Sequence, residues 1–583
     1  MRQASPHRGV LRSLPALGVA TIATLLAAWA ATITIIATGG VPIGADAPVY
    51  VWWARLVGHS GSSVVAMRPG VPNVVELVAR ATGIPEQTAV ASFERALVAL
   101  IGMSGCAALR ASGEREGRCL TGLALTGVFG TYLAAGHLSN AAFAALFVLA
   151  IAFLIDGRKR STVASVLIIG GAGLAHPEFS WLAIAILAGA ASIAAIAGSR
   201  REAINTAAVA GAGAGVTGLG LIAARFGGPP FDVPTSLDVF LMQTHQLSRL
   251  HDLFLERFRP KVATYALWAW VPVALFATPR LHSRLGRVLV SWCAVTVVGV
   301  LVGLLWQPFP PHRIVAFAFC LPLLASLGIG VIADRIPRLA APITAIVLVA
   351  TVASATVLWI GAPRPYEDPI AADAVAVEPE IARTSGTVIV DLPPGTNGTG
   401  VAVIRATNLL RSAAPPDRIR DLIVRFPEPA PGDADGAAVW QDTEDRIRAL
   451  GTTGPVTELA LPVGIGVVPA TPVLSLVAGI AGWIAMCAVA GLGWCLATGQ
   501  RGIRLLERSL GTGLAALIWG SSVADLLGVR LGQRSDALFV FLAVVASGGI
   551  AAIATRVGQG KPDTSTTAQV PARHLSLNRS GTA

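Results

Sequence analysis

The sequence predicts an all-α polytopic membrane protein of about 14 transmembrane helices with a small extracytoplasmic α/β insert, and two observations carry that prediction. Hydrophobic residues fill 54% of its 583 positions and charged residues only 13%, with a mean hydropathy of +0.67. Soluble chains carry about a quarter charged residues, so the solvent here is the bilayer. Apolar runs of roughly 17–25 residues recur along the chain, each long enough to cross about 30 Å of hydrocarbon as a helix. The runs are rich in Ala, Leu, Val and Gly and lack the alternation of barrel strands, so helices satisfy the backbone in lipid.

The first run, Leu14 to Thr38, follows Arg2, Arg8 and Arg12. It is too long for a signal-peptide core and ends in no small-x-small cleavage site, so it reads as a retained span. Further runs centre near residues 100, 128, 147, 168, 189, 214, 270, 297, 322, 350, 485, 518 and 545. With the N-terminus in the cytosol, the loops on that side carry Arg110/Arg115/Arg118, Arg158/Lys159/Arg160, Arg200/Arg201, Arg280/Arg284/Arg287, Arg335/Arg338, Arg501/Arg504/Arg508 and Arg556/Lys561. Every one is basic, as the positive-inside rule requires for a plasma-membrane protein with both termini cytoplasmic. The net charge of +11 is therefore topological; it forms no long stripe for nucleic acid.

The organisation that follows is a transmembrane module over 1–361, an extracytoplasmic insert over 362–470, C-terminal spans over 471–557 and a polar, disordered cytoplasmic tail over 558–583. The insert differs in charge, with nine Arg, no Lys and fifteen Asp or Glu, a balance of about −6. Gly386 to Asp391 and Asp421 to Arg425 read as short strands, and Val401 to Arg411 as a helix or strand. Within 227–262, Leu237, Phe240, Leu241, Leu247, Leu250, Phe254 and Phe258 recur at helical spacing, which describes a helix lying in the interface. The six cysteines have no CxxC spacing and imply neither a disulfide framework nor a metal cluster.

The segments left outside hold the candidate chemistry. Asp46 stands where the chain leaves the first span, and Tyr50, Trp52, Trp53, Arg55 and His59 follow on a short aromatic helix. The aromatics suit a headgroup anchor, whereas a carboxylate at that boundary can take a proton from a hydroxyl within hydrogen-bond reach. His137 and Asn140 suit a turn and helix cap. His176 and Glu178 share a very short outside turn, where polar groups cost energy unless solvated or paired. His312 and Arg313 open another span, and His312 and Lys261 are weaker candidate cations than Arg313. Walker, GxSxG, HExxH and dinucleotide fingerprints are missing from any fitting context, which leaves cytoplasmic nucleotide-sugar chemistry unsupported.

This order of first span, outside loop with an early acidic residue, short aromatic helix, many spans and late outside domain resembles the GT-C superfamily of membrane glycosyltransferases. Gly44 to His59 carries the more specific part, and the turns at 136–140, 175–178 and 309–313 add to it. The resemblance implies a sugar donor on polyprenyl phosphate and an envelope glycan, lipid or protein as acceptor. It makes Asp46 the base that deprotonates the acceptor hydroxyl, with inversion at the anomeric carbon. Arg313 suits the departing phosphate, and His312, His176, Glu178, Trp52, Trp53, Arg55 and His137 are the accompanying substrate-binding residues. No cofactor is implied; Asp46, Glu178 and His176 could hold a divalent ion, but no ligand spacing marks a metal site. The Ala-, Gly-, Val- and Arg-rich composition suits a high-GC actinobacterium. A lipid or solute transporter is the competing class and would place ionisable residues near mid-membrane in two corresponding halves. A non-catalytic scaffold is a third.

Overall fold

The structure, a computed structural model, describes residues 42–44, 47–60, 69–134, 137–227, 265–306, 319–360 and 472–559, with parts of 373–461. It is a helical bundle. In chain order the helices are α1 (Ala47–Ser60), α2 (Gly70–Thr82), α3 (Glu86–Ala111), α4 (Glu116–Ala134), α5 (Leu138–Ile155), α6 (Lys159–Ala175), α7 (Pro177–Ile196) and α8 (Arg200–Gly227). Then come α9 (Tyr265–Leu275), α10 (Arg284–Trp306), α11 (Cys320–Arg335), α12 (Pro337–Ile360) and the single turn α13 (Glu378–Ile381). The last three are α14 (Val473–Ala497), α15 (Ile503–Leu526) and α16 (Arg534–Gln559).

All the span centres read from the sequence fall inside these helices except the first, near residue 26, which lies outside the described residues. Among the described residues six helices are long and apolar enough to cross a membrane: α3, α5, α7, α12, α14 and α16. Helix α5 is apolar on every side and wholly buried, as an all-round hydrophobic helix must be. It is the axis of the bundle, packed between α3 and α6, while α14 and α15 close over α3.

Tight turns order the helices antiparallel, so their ends gather in two sets. At one end Arg110 pairs with Glu116 and Glu507, Arg118 with Glu114 and Asp334, Arg287 with Glu202, and Arg508 with Asp156. Arg508 is fully buried and lies 4.6 Å over the Phe153 ring. These are the basic loops of the sequence drawn into one ion-pair belt. Burial makes such pairs costly to break singly, so the belt fixes helix register at that end.

Among the described residues between α12 and α14 stand three parallel strands, β1 (Gly386–Asp391), β2 (Ile419–Arg425) and β3 (Val456–Ala460), in the order β2-β1-β3. Thr387 to Val390 are all buried, which suits the central strand of a parallel sheet. Arg425 ties the three together at their carboxyl edge, donating to Asp391 at 2.6 Å and to Glu458 at 3.1 Å. The first two strands lie where the sequence puts them; β3 was not foreseen. Residues 401–411, the interfacial helix of 237–258 and the tail beyond 559 lie outside the described residues.

Candidate functional site

The end of the bundle opposite the ion-pair belt carries α1, α2 and the turns before α5 and α7. Asp46 itself lies outside the described residues, as do His312, Arg313 and Lys261. The chain on either side of Asp46 is described, and it is clamped. The Ile43 N–H donates to both Glu94 carboxylate oxygens at 3.3 Å. Glu94 is held by Arg95 at 2.7 Å, which also donates to the Ala91 carbonyl and lies 5.5 Å over the Trp359 ring. Ile43 packs with Trp359 and Val98, and Ala47 on the far side is fully buried. Gly44 turns between them at φ 93°, a left-handed conformation that glycine adopts without strain.

Helix α1 buries Tyr50 in the core, away from the headgroup placement expected of that aromatic. Tyr50 is 1% exposed, and its hydroxyl accepts the Ser139 N–H at 3.0 Å. The first turn of a helix leaves N–H groups without intrahelical partners, and this phenol satisfies one of them on α5. His137, expected to help cap that helix, stands at the cap position with no side-chain cap bond; Asn140 is buried inside α5. Trp53 packs edge-on against Tyr50 at 5.6 Å. Of Trp52 only the backbone, in α1, is described. Arg55 faces Glu86 at 3.5 Å.

Sequence reasoning missed α2, a 13-residue helix inside a segment read as loop. It is too short to cross hydrocarbon, so a search for spans passes over it. The signal was present in Val71, Val74, Val75, Val78 and Ala81 at helical spacing. Asn73 and Glu76, three residues apart and so on one face, are both fully buried. Glu76 Oε1 accepts from Arg80 Nε at 2.7 Å, and Arg80 Nη2 reaches Glu86 at 2.7 Å. Burial pushes the Glu76 carboxyl up to about 7, against the opposing pull of Arg80. Glu76 Oε2 and both polar side-chain atoms of Asn73 have no partner among the described residues.

Glycines let α2 fit. A Cβ at Gly58 would lie 2.3 Å from Glu76 Oε1, and one at Gly532 2.4 Å from the Gly58 carbonyl, so α1 seats on Glu76 and on the α15–α16 turn. A Cβ at Gly70 would lie 2.9 Å from the backbone of Leu174 and Ala175. The start of α2 thus abuts the turn bearing His176. That histidine is 1% exposed, accepts the Phe179 N–H on Nδ1 at 3.2 Å and stacks on the Phe179 ring at 4.2 Å. It caps α7. Glu178 lies in the first turn of α7, and its side chain is outside the described set.

Contacts therefore link α1 to the His137 turn through Tyr50 and, by way of α2, to the His176 turn. Among the described residues no three metal-ligating side chains gather. Of the three groups named for a divalent ion only the His176 side chain is described, and its Nδ1 is engaged by Phe179.

No protein-family model and no curated protein matches the chain. Comparison with solved structures finds a partial likeness to the Archaeoglobus fulgidus oligosaccharyltransferase, crystallised as a complex with Zn and sulfate, at a TM-score of 0.45 and 12% identity. The match covers 67% of this chain and 62% of that one, so the chain spans less than two thirds of its length.

Proposed function

We propose that the chain is a GT-C-type membrane glycosyltransferase that moves a sugar from a polyprenyl-phosphate carrier to an extracytoplasmic envelope acceptor. The observation that supports this best is the clamping of the chain before Asp46 by Glu94, beside the helix whose Tyr50 reaches the α5 turn. A catalytic base works only within hydrogen-bond reach of its proton, so its backbone must be held. An idle surface loop needs no buried carboxylate to hold it.

In this reading the Asp46 carboxylate takes the proton of an acceptor hydroxyl. That oxygen forms the new bond to the anomeric carbon while the bond from that carbon to the phosphate oxygen breaks on the opposite face, which inverts the centre. The phosphate leaves on the polyprenol, with Arg313 and His312 offsetting its charge. The same reading assigns Trp52, Trp53, His137 and Glu178 to substrate binding and leaves His176, buried as the α7 cap, to position its turn. Arg55, held by Glu86, serves to orient α1. No step uses a metal. The ion-pair belt faces the cytosol and the clamp faces outward, following the basic loops.

The test is product stereochemistry. Purified full-length chain is given a polyprenyl-phospho-sugar of defined anomeric configuration with an envelope glycan acceptor, and the new linkage is read by NMR. Transfer with inversion is the expected result. Retention, or movement of the intact carrier across vesicles with no sugar transferred, overturns the reading and favours a flippase.

A further inference from the structure

A groove of about 700 Å³ runs along the outside of the bundle between α6, α14, α15 and α16. It lies away from the clamp, since none of the residues that hold the approach to Asp46 line it. Small residues hollow it out, among them Ala164, Ala515, Ala516, Gly520 and Ala543. Trp519 forms part of the wall, its indole donating to the Leu167 carbonyl at 2.8 Å. The ends of the groove differ. Arg160, Thr498 and Thr555 stand at the ion-pair-belt end of their helices, whereas Leu527, Val529 and Phe539 stand at the other. Arg110, Arg118, Arg287 and Arg508 of the belt are each paired with a carboxylate, but Arg160 is exposed and pairs with none among the described residues.

We infer that this groove is a binding site for an anionic glycerophospholipid of the leaflet at the belt end, with its phosphate on Arg160 and an acyl chain along the small residues. Charge complementarity selects the occupant: one exposed cation at one mouth, and apolar wall beyond it. The polyprenyl donor of the proposed reaction belongs at the opposite end, where Asp46 would act. Ile43, which follows the apolar N-terminal run in sequence, packs with Trp359 and Val98, neither of which lines the groove. The tail beyond 559 is Ser-, Thr- and Gly-rich and lacks an apolar stretch to fill it. The inference needs only the membrane setting and stands whether or not sugar is transferred.

The experiment uses full-length chain in vesicles holding spin-labelled phosphatidylglycerol or phosphatidylcholine, with motionally restricted lipid counted per protein. Wild type is expected to hold phosphatidylglycerol about fivefold more strongly, the selectivity of one near-surface cation. Arg160→Gln should bring the ratio close to one. Ala543→Phe and Ala516→Phe, which fill the groove, should cut the restricted population of both lipids, with chromatographic profile and Tm checked for each variant. Equal retention of the two lipids by wild type overturns the inference, as does selectivity that survives Arg160→Gln in a folded protein. Recovery of polyprenyl phosphate, or of a second copy of the chain in place of phospholipid, overturns it too.

Discussion

The clamp on the approach to Asp46 gives the sharpest prediction. Glu94 is fully buried and its partner Arg95 nearly so, so replacing Glu94 by Gln leaves a buried guanidinium without a counter-charge. Breaking one side of such a pair costs about 3–5 kcal/mol. Replacing both partners by neutral groups of similar shape costs far less. Glu94→Gln should therefore lower Tm sharply, and Glu94→Gln with Arg95→Met should recover most of the loss. Turnover should not recover with it. The Ile43 N–H loses a charged acceptor worth about 1.5–3 kcal/mol, and the loop it steadies is freed. A misplacement of about 1 Å at a reacting group can cost on the order of 100-fold in rate. Thermal unfolding of the solubilised protein, paired with the sugar-transfer rate, separates the two effects. A double variant that regains full turnover along with Tm would refute the idea that Glu94 positions the catalytic segment; one that stays as unstable as the single variant would refute the ion-pair argument.

Three further outcomes follow from the same end of the bundle. With its carboxyl at about 7 against an ordinary 4.5, Glu76 binds more proton in the folded state than in the unfolded state between those values. Its ionisation thus costs stability as pH rises through that window, by at most about 3 kcal/mol, and Glu76→Gln should raise Tm relative to wild type more at pH 8 than at pH 5 in a thermal-unfolding series. Tyr50→Phe orphans the Ser139 N–H and should cost about 1–2 kcal/mol, visible as faster hydrogen exchange at the start of α5. Gly58→Ala drives a methyl onto Glu76 and should lower Tm by the equivalent of about 1–3 kcal/mol.

Sequence resolved the helices and left the site half drawn, for a physical reason. Span length and basic loops are properties of contiguous residues, so α3 to α8 and α14 to α16 fall where the apolar runs are. The belt pairing Arg110 with Glu507 joins positions almost four hundred residues apart, and only the fold reveals it. By sequence alone nothing singles out Glu94; its role comes from Ile43 arriving beside it. Tyr50 matched an interfacial aromatic by type, and burial against α5 gave it a different task. Helix α2 is too short for a span and too apolar for a loop, so neither pattern marks it in the sequence.

The proposed chemistry rests on Asp46 as the base. The most direct measurement is single-turnover transfer from labelled polyprenyl-phospho-sugar by wild type and Asp46→Asn, at matched Tm and elution volume. Asp46→Asn should bind donor intact and lose transfer by at least about 100-fold, the lower end of what a positioned base contributes. Transfer at the wild-type rate by a folded Asp46→Asn protein would contradict it.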